Sequence, residues 1–253
     1  MEATKTVLVT GGSRGLGKNM ALQLAQKGFN IILTYNSRKD EADNVVTEIE
    51  GLGTKAAALQ LDVAQANSFD AFILSLQSVL ATKFNSSELW AVVNNAGMGA
   101  YGKIVDSNET TLDLMYNIHV KAPFLLSQKI YPLLSEHASV LNISSGLTRF
   151  SLDGYAPYAI MKGAVDTLTK YQAKEFAAKK IRVNVLAPGA IETDFGGGAV
   201  RDNKDLNSFI ASQTALGRVG VPDDIGSVAA FLCSNEARWI NAQRIEVSGG
   251  IHI

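Results

Sequence analysis

The stretch Val7-Leu8-Val9-Thr10-Gly11-Gly12-Ser13-Arg14-Gly15-Leu16-Gly17 decides the fold. Val7 to Thr10 is apolar and β-branched, the composition of a strand. Lys18 to Lys27 has helical spacing and ends at Gly28. A strand that runs through glycines directly into a helix opens a βαβ unit. Glycines spaced Gly11-x-x-x-Gly15-x-Gly17 permit positive φ and let backbone approach a diphosphate, with helix-start amides facing the anion. Gly11, Ser13, Arg14, Gly15, Leu16 and Gly17 are therefore candidate anion contacts. A plain turn is the bland alternative. A second is a nucleotide P-loop, because Gly12 to Asn19 (GSRGLGKN) is one residue from GxxxxGK[ST]. Asn19 offers no hydroxyl for Mg²⁺, which weighs against a triphosphatase even with Asp62 available as a second ligand.

Outward from this loop, strand and helix patterns alternate. Strands are expected at Asn30–Tyr35, Ala56–Val63, Leu89–Val93, Val140–Ser144, Ile181–Ala187 and Gln243–Val247. Helices are expected at Arg38–Glu50, Ser68–Ala81, Thr110–Asn117, Ala122–Leu134, Tyr155–Ala178 and Pro222–Cys233. Several strands are continuously apolar, the mark of a sheet covered on both faces. The pattern predicts an α/β fold: a single-domain, Rossmann-type, doubly wound parallel sheet with helices on both faces. No linker divides residues 1–253. The polar, glycine-rich run Gly196 to Asp205 predicts a substrate lid near 194–215, beyond the carboxyl ends of the strands.

Composition excludes several classes. The 253 residues are 47% hydrophobic and 19% charged, which is globular rather than disordered. Lys plus Arg is 23 against 24 for Asp plus Glu, so neither a nucleic-acid surface nor a membrane surface is indicated. One cysteine, Cys233, permits no internal disulfide, and His119, His137 and His252 lack metal-ligand spacing, so no metal is expected. Met1 to Thr4 carries no basic leader and no apolar run reaches a membrane span, which predicts a cytoplasmic protein.

The residues after the second strand choose between dinucleotides. An NAD-selective site carries an acid about 20 residues past the glycines for the ribose 2′-hydroxyl. From Asn19 through Lys39 there is no Asp or Glu; Tyr35, Asn36, Ser37 and Arg38 stand there instead, with Arg14 in the loop. Two guanidiniums and a hydroxyl suit a 2′-phosphate, predicting NADP(H).

Tyr158 and Lys162 lie four residues apart on one helical face. Alone the pair is a commonplace of helix surfaces. Around it, strand ends carry Asn94-Asn95-Ala96-Gly97, Ser144-Ser145-Gly146 and Pro188-Gly189-Ala190-Ile191-Glu192-Thr193, the small and polar residues a ligand crevice needs. In order and spacing, Thr10 to Gly17, Leu61-Asp62-Val63, Asn94 to Gly97, Asn117, Ser145, Tyr158-x-x-x-Lys162, Pro188-Gly189 and Ser248-Gly249-Gly250 resemble the classical short-chain dehydrogenases/reductases nearly end to end. Ser248 stands where that family often has an acid, and Asn241 where threonine is usual.

The resemblance implies a reversible NADP(H)-dependent reduction of a ketone to a secondary alcohol, as in ketoreductases. In it Tyr158 exchanges the proton, Ser145 binds the carbonyl oxygen, and Lys162 lowers the phenol's pKa and grips the ribose. Asn117 positions a water. It further implies that Asp62 and Val63 bracket the adenine, Asn94, Ala96 and Gly97 the adjoining ribose, and Pro188, Gly189, Ile191 and Thr193 the nicotinamide end. The expected substrate pocket comprises Met98, Leu147, Phe150, Leu152, Tyr155 and Phe195, apolar and small-molecule sized. His119 is expected to point into packing. Homotetramers or dimers built on the helices Ala122–Leu134 and Tyr155–Ala178 are implied by the same resemblance. A 3-oxoacyl-[acyl-carrier-protein] reductase is the alternative; Lys179 and Lys180 would then meet the acidic carrier, although Leu134 to Ser139 lacks the basic cluster frequent in such members. A regulator that senses dinucleotide without chemistry is the alternative of another class.

Overall fold

A computed structural model describes residues 5–253, so the expectation about Met1 to Thr4 lies outside the described residues. Its elements run β1 (Thr6–Val9), α1 (Gly15–Gln26), β2 (Asn30–Tyr35), α2 (Lys39–Gly51), β3 (Ala56–Gln60), α3 (Phe69–Phe84) and β4 (Leu89–Asn94). Then follow α4 (Glu109–Tyr116), α5 (Ala122–Ile130), β5 (Leu134–Ile143), α6 (Ala156–Glu175) and β6 (Arg182–Pro188). The chain closes with α7 (Ala199–Asp202), α8 (Lys204–Ser212), α9 (Pro222–Cys233) and β7 (Arg244–Val247). The strands form one parallel sheet in the order β3-β2-β1-β4-β5-β6-β7. Strand order reverses between β1 and β4, so the crevice outside their carboxyl ends is the ligand position of a doubly wound sheet.

Continuous apolar strands make sense in this arrangement. Val7, Val9, Ile31, Leu33 and Val93 face α1, α2 and α9, where Met20, Leu24, Val45, Ile49, Ile225 and Leu232 close one core. Leu8, Ile32, Val92, Val140 and Val183 face the opposite side, against Phe69, Phe72, Leu76, Leu80, Leu126 and Ile130. Alternate residues of one strand thus enter two different cores.

Several boundaries differ from the sequence expectation. Helix α1 begins at Gly15 rather than Lys18, because the glycines of the loop also form its first turn. Strand β3 ends at Gln60, so Asp62 and Val63 lie on the connection beyond it. The helix expected to reach Leu134 stops at Ile130, and Leu134 already pairs with Leu89 as the start of β5. The expected lid is not plain coil: it holds α7 and α8 after three consecutive glycines at positive φ, Gly196, Gly197 and Gly198.

Between α4 and α5 the backbone widens into a π-turn, Asn117–Lys121. The Ala122 amide donates to the Asn117 carbonyl, five residues back. Pro123 follows and has no N–H, so it cannot close a bond to the His119 carbonyl. Such a bulge re-aims the side chains of one turn. Here those side chains include Asn117 and His119.

Candidate active site

The glycine loop is fastened to the loop after β4 by side chains. Thr10 Oγ1 donates to the Val93 carbonyl (3.2 Å) and accepts from the amides of Asn95 and Ala96 (both 3.0 Å). Asn95 Nδ2 donates back to the carbonyls of Thr10 (2.9 Å) and Gly11 (3.1 Å). Asn95 escaped the sequence reading, although it does most of this fastening; its place between Asn94 and Ala96 was the only available signal. Gly17 permits the closeness, because a Cβ there would lie 2.0 Å from the Gly11 carbonyl oxygen.

The cradle fits an anionic dinucleotide. Helix α1 opens with no side-chain cap and no acid in its first turn, so its leading amides are available to a diphosphate. Arg14, at the N-cap, is exposed. Thr193 stands above the loop, its Cβ 3.8 Å from where a Gly15 Cβ would be. Asn36, Ser37 and Arg38 are exposed at the end of β2, next to half-buried Tyr35. Arg38 pairs with Glu41 at 2.8 Å, so a ligand phosphate would share it with that carboxylate. Asp62 accepts from the Ala64 amide and shapes the bend where Val63 lies.

Two expected contacts are arranged differently. The Asn94 side chain turns inward, Nδ2 donating to Asn142 Oδ1 at 2.8 Å, so only its backbone faces the crevice side. Asn19, of the P-loop reading, donates to Asp223 at 2.6 Å and packs on Gly226 of α9, away from any phosphate.

Helix α6 and the end of β5 bring Tyr158, Lys162 and Ser145 together. Tyr158 is 7% exposed and Lys162 5%. Lys162 Nζ donates to the Ile143 carbonyl at 2.8 Å and lies 5.5 Å from the centre of the Tyr158 ring. Burial lowers Lys162 to about 8, opposed by Asp166 one turn on. Burial raises the Tyr158 phenol above its ordinary value, opposed by its approach to Ser145. Desolvation is the larger of these two effects on the phenol. Ser145 is half-buried, and its Oγ accepts from the Leu147 amide at 3.2 Å. Ser144 is buried behind it, donating to the Lys162 carbonyl. Of the two serines, Ser145 is the one beside the phenol.

His119 is closer to this group than expected. Its ring meets Tyr158 edge-on at 5.2 Å, and Nε2 donates to the Met98 carbonyl at 2.7 Å. Burial, then the Lys162 charge, lower its pKa to about 3, so it is neutral. Gly97 is pressed against it; a Cβ there would sit 2.7 Å from the imidazole.

Of the expected pocket, Phe195 lies 5.7 Å from the Tyr158 ring and covers Gly99. Tyr155 meets Tyr101 edge-on at 5.5 Å, and Met98 and Leu152 are 43% and 42% exposed at the rim. Leu147 packs beside Tyr158 and Met161. Phe150 does not join them: its ring rests on His252 at 4.5 Å, near the carboxyl terminus. Arg149 draws the loop that way by donating to the Ile251 and His252 carbonyls.

Fold and site define a Rossmann-type dinucleotide-binding protein with a Tyr-Lys pair at the switch point. The family model described as Enoyl-(Acyl carrier protein) reductase matches residues 11–252. The chain belongs to the short-chain dehydrogenase/reductase family of oxidoreductases. It is 36% identical over 255 residues to 3-oxoacyl-[acyl-carrier-protein] reductase FabG of Staphylococcus aureus, covering 100% of both chains. Among solved structures it resembles the promiscuous reductase LugOII, which catalyses keto-reduction at C1 during lugdunomycin biosynthesis. The TM-score there is 0.94, with 34% identity over 100% of both chains. It also resembles the landomycin C-6 ketoreductase LanV, solved with NADP and rabelomycin. That TM-score is 0.89, with 31% identity over 98% of this chain and 96% of LanV.

Proposed function

We propose that the chain reduces ketones to secondary alcohols with NADPH. One observation carries the reading: the buried phenol of Tyr158 and the buried ammonium of Lys162, one helical turn apart on α6, meet Ser145 at the end of β5. Bound NADPH would supply the hydride. Tyr158 donates the proton to the carbonyl oxygen, Ser145 orients that oxygen by a hydrogen bond, and Lys162 holds positive charge below the phenol as it gives up its proton. Asn117, at the start of the π-turn, would keep a water for proton resupply. Phe195, Tyr155, Leu147, Leu152 and Met98 favour an apolar ketone over a sugar.

NADPH is favoured over NADH because Arg14 and Arg38 would flank the adenosine end and no carboxylate stands from Asn19 through Lys39. Loss of absorbance by NADPH, followed against a panel of ketones, ketoesters and a 3-oxoacyl thioester, tests both statements. A kcat/KM ratio of at least about tenfold for NADPH over NADH is expected from one lost charged contact. Preference for NADH overturns the cofactor reading. The relatives named carrier-protein reductases keep the thioester in the panel, but the basic residues proposed for that partner are engaged within the chain. Lys179 Nζ donates to the carbonyls of Tyr131, Pro132 and Leu134, and Lys180 pairs with Glu136 at 2.7 Å. The thioester is therefore expected to be a poorer substrate than an aromatic or alicyclic ketone.

The same reading makes the enzyme a cytoplasmic homotetramer whose copies meet through α5 and α6. Phe124, Ile160 and Tyr171 are 54%, 56% and 64% exposed on those helices. Light scattering on the eluted protein is expected to give a multiple of the 27.0 kDa chain mass; a monomer at micromolar concentration ends this part of the proposal.

A further inference from the structure

The last strand reaches the site from behind through Arg244. Its Nη2 donates to the carbonyl of Ser145 at 3.0 Å and to Thr148 Oγ1 at 3.1 Å. Its Nε meets Asp166 Oδ2 at 3.2 Å, and its Nη1 meets Glu246 at 2.9 Å. Thr148 Oγ1 donates to the same Asp166 oxygen at 2.9 Å, which closes a ring of contacts. Asp166 follows Lys162 by one turn of α6, and Ser145 ends β5. A single planar fork thus joins β7 to both the loop that follows the serine strand and the tyrosine-lysine helix. The cluster is not a loose surface pair, because the side chains of Arg244, Asp166 and Glu246 are only 26%, 18% and 19% exposed. Glu246 in turn holds Arg149, whose remaining donors reach the carbonyls of Ile251 and His252.

We propose that Arg244 is a positioning residue for ketone reduction. It clasps the backbone of Ser145 to the α6 turn behind Lys162, and so sets the distance between the serine hydroxyl and the phenol. Arg244 also neutralises Asp166, the carboxylate nearest Lys162 on its own helix. The inference rests on the reductase reading given above. Misplacing an orienting group by about an ångström costs turnover far more than it costs binding of the cofactor, whose cradle lies on β1, β2 and β4.

The test compares wild type with Arg244→Met, Arg244→Lys and the double variant Arg244→Met/Asp166→Asn. It reads kcat with the best ketone of the panel, the NADPH dissociation constant by fluorescence, and Tm. Arg244→Met is expected to lower kcat about tenfold or more, with NADPH affinity within about twofold of wild type. Arg244→Lys, which keeps the charge beside Asp166 but not the fork, is expected to recover Tm and only part of kcat. Removing the stranded carboxylate in the double variant is expected to restore Tm and leave kcat low. If Arg244→Met does not fold, Arg244→Lys carries the same comparison of kcat against affinity. A lowered Tm with unchanged kcat, or a double variant that regains full kcat, overturns the inference and leaves Arg244 a structural residue. Wild type that reduces no ketone with NADPH sinks the functional reading instead, so the two failures are distinct.

Discussion

Replacing Tyr158 with phenylalanine lowers kcat/KM for ketone reduction by about 10²- to 10⁴-fold, the range lost with a positioned proton donor. The substitution removes one oxygen and little else. The ring keeps its edge contact with His119 at 5.2 Å and its contact with Phe195 at 5.7 Å, so neither the fold nor NADPH affinity should suffer. The pH dependence follows the same group. Burial holds the phenol above its ordinary value, so Tyr158 carries its proton through neutrality. Reduction needs that proton and therefore falls only as pH rises through the phenol's titration. Initial rates by NADPH absorbance, with affinity measured separately, check the effect. Wild-type turnover in Tyr158→Phe would remove the residue from the chemistry and revive the reading of a dinucleotide sensor.

Lys162→Met is expected to cost turnover at least about 10²-fold, since the positive charge beneath the departing proton is lost. It also changes how stability responds to pH. Burial moves Lys162 from its ordinary 10.5 to about 8. Below pH 8 the ammonium is charged in folded and unfolded chains alike, and the burial penalty, on the order of 3 kcal/mol, is fully present. Between pH 8 and 10.5 the folded chain releases its proton first, the unfolded chain binds more protons, and stability recovers as pH rises. The methionine variant has no such group. Relative to it, wild type should therefore gain stability from pH 7.5 to pH 10 in paired urea titrations. Loss of the hydrogen bond to the Ile143 carbonyl offsets both ends of that comparison equally, so the slope is the readout. Parallel pH curves for the two proteins would show that burial does not weaken the ammonium.

The sheet was legible because its strands are apolar on both faces: NIILTY and RVNVLAP enter two cores at once, and no helix surface needs such runs. The amino-terminal half of β5 was not. Its residues Leu134 to Ser139 are mostly polar, the register against β4 shifts between Leu89 and Ala91, and His137 sits at φ 63°, so no period survives to be read. Glycine's poor helix propensity likewise hid the first turn of α1, which forms because the loop contact needs glycine there. In the site, the Tyr158–Lys162 spacing and the placement of Ser145 over Ser144 were readable from order along the chain. What was not readable depends on side-chain direction: the inward amide of Asn94, Phe150 drawn to His252, and His119 re-aimed by the π-turn onto Tyr158. Arg244 left no trace either, because the partners that tie it to the site, Ser145, Thr148 and Asp166, lie 78 to 99 residues away.

The strand order has a kinetic consequence. Thr10, just beyond β1, holds Val93 of β4, 83 residues distant, and β1 is clasped by β2 on one side and β4 on the other. Contacts of such long range form late and slowly, since loop closure must precede them. A refolding chain therefore stays silent in a coupled assay while its helices have long since formed. Recovered turnover should lag far-UV ellipticity and keep pace with the last pairing of the sheet.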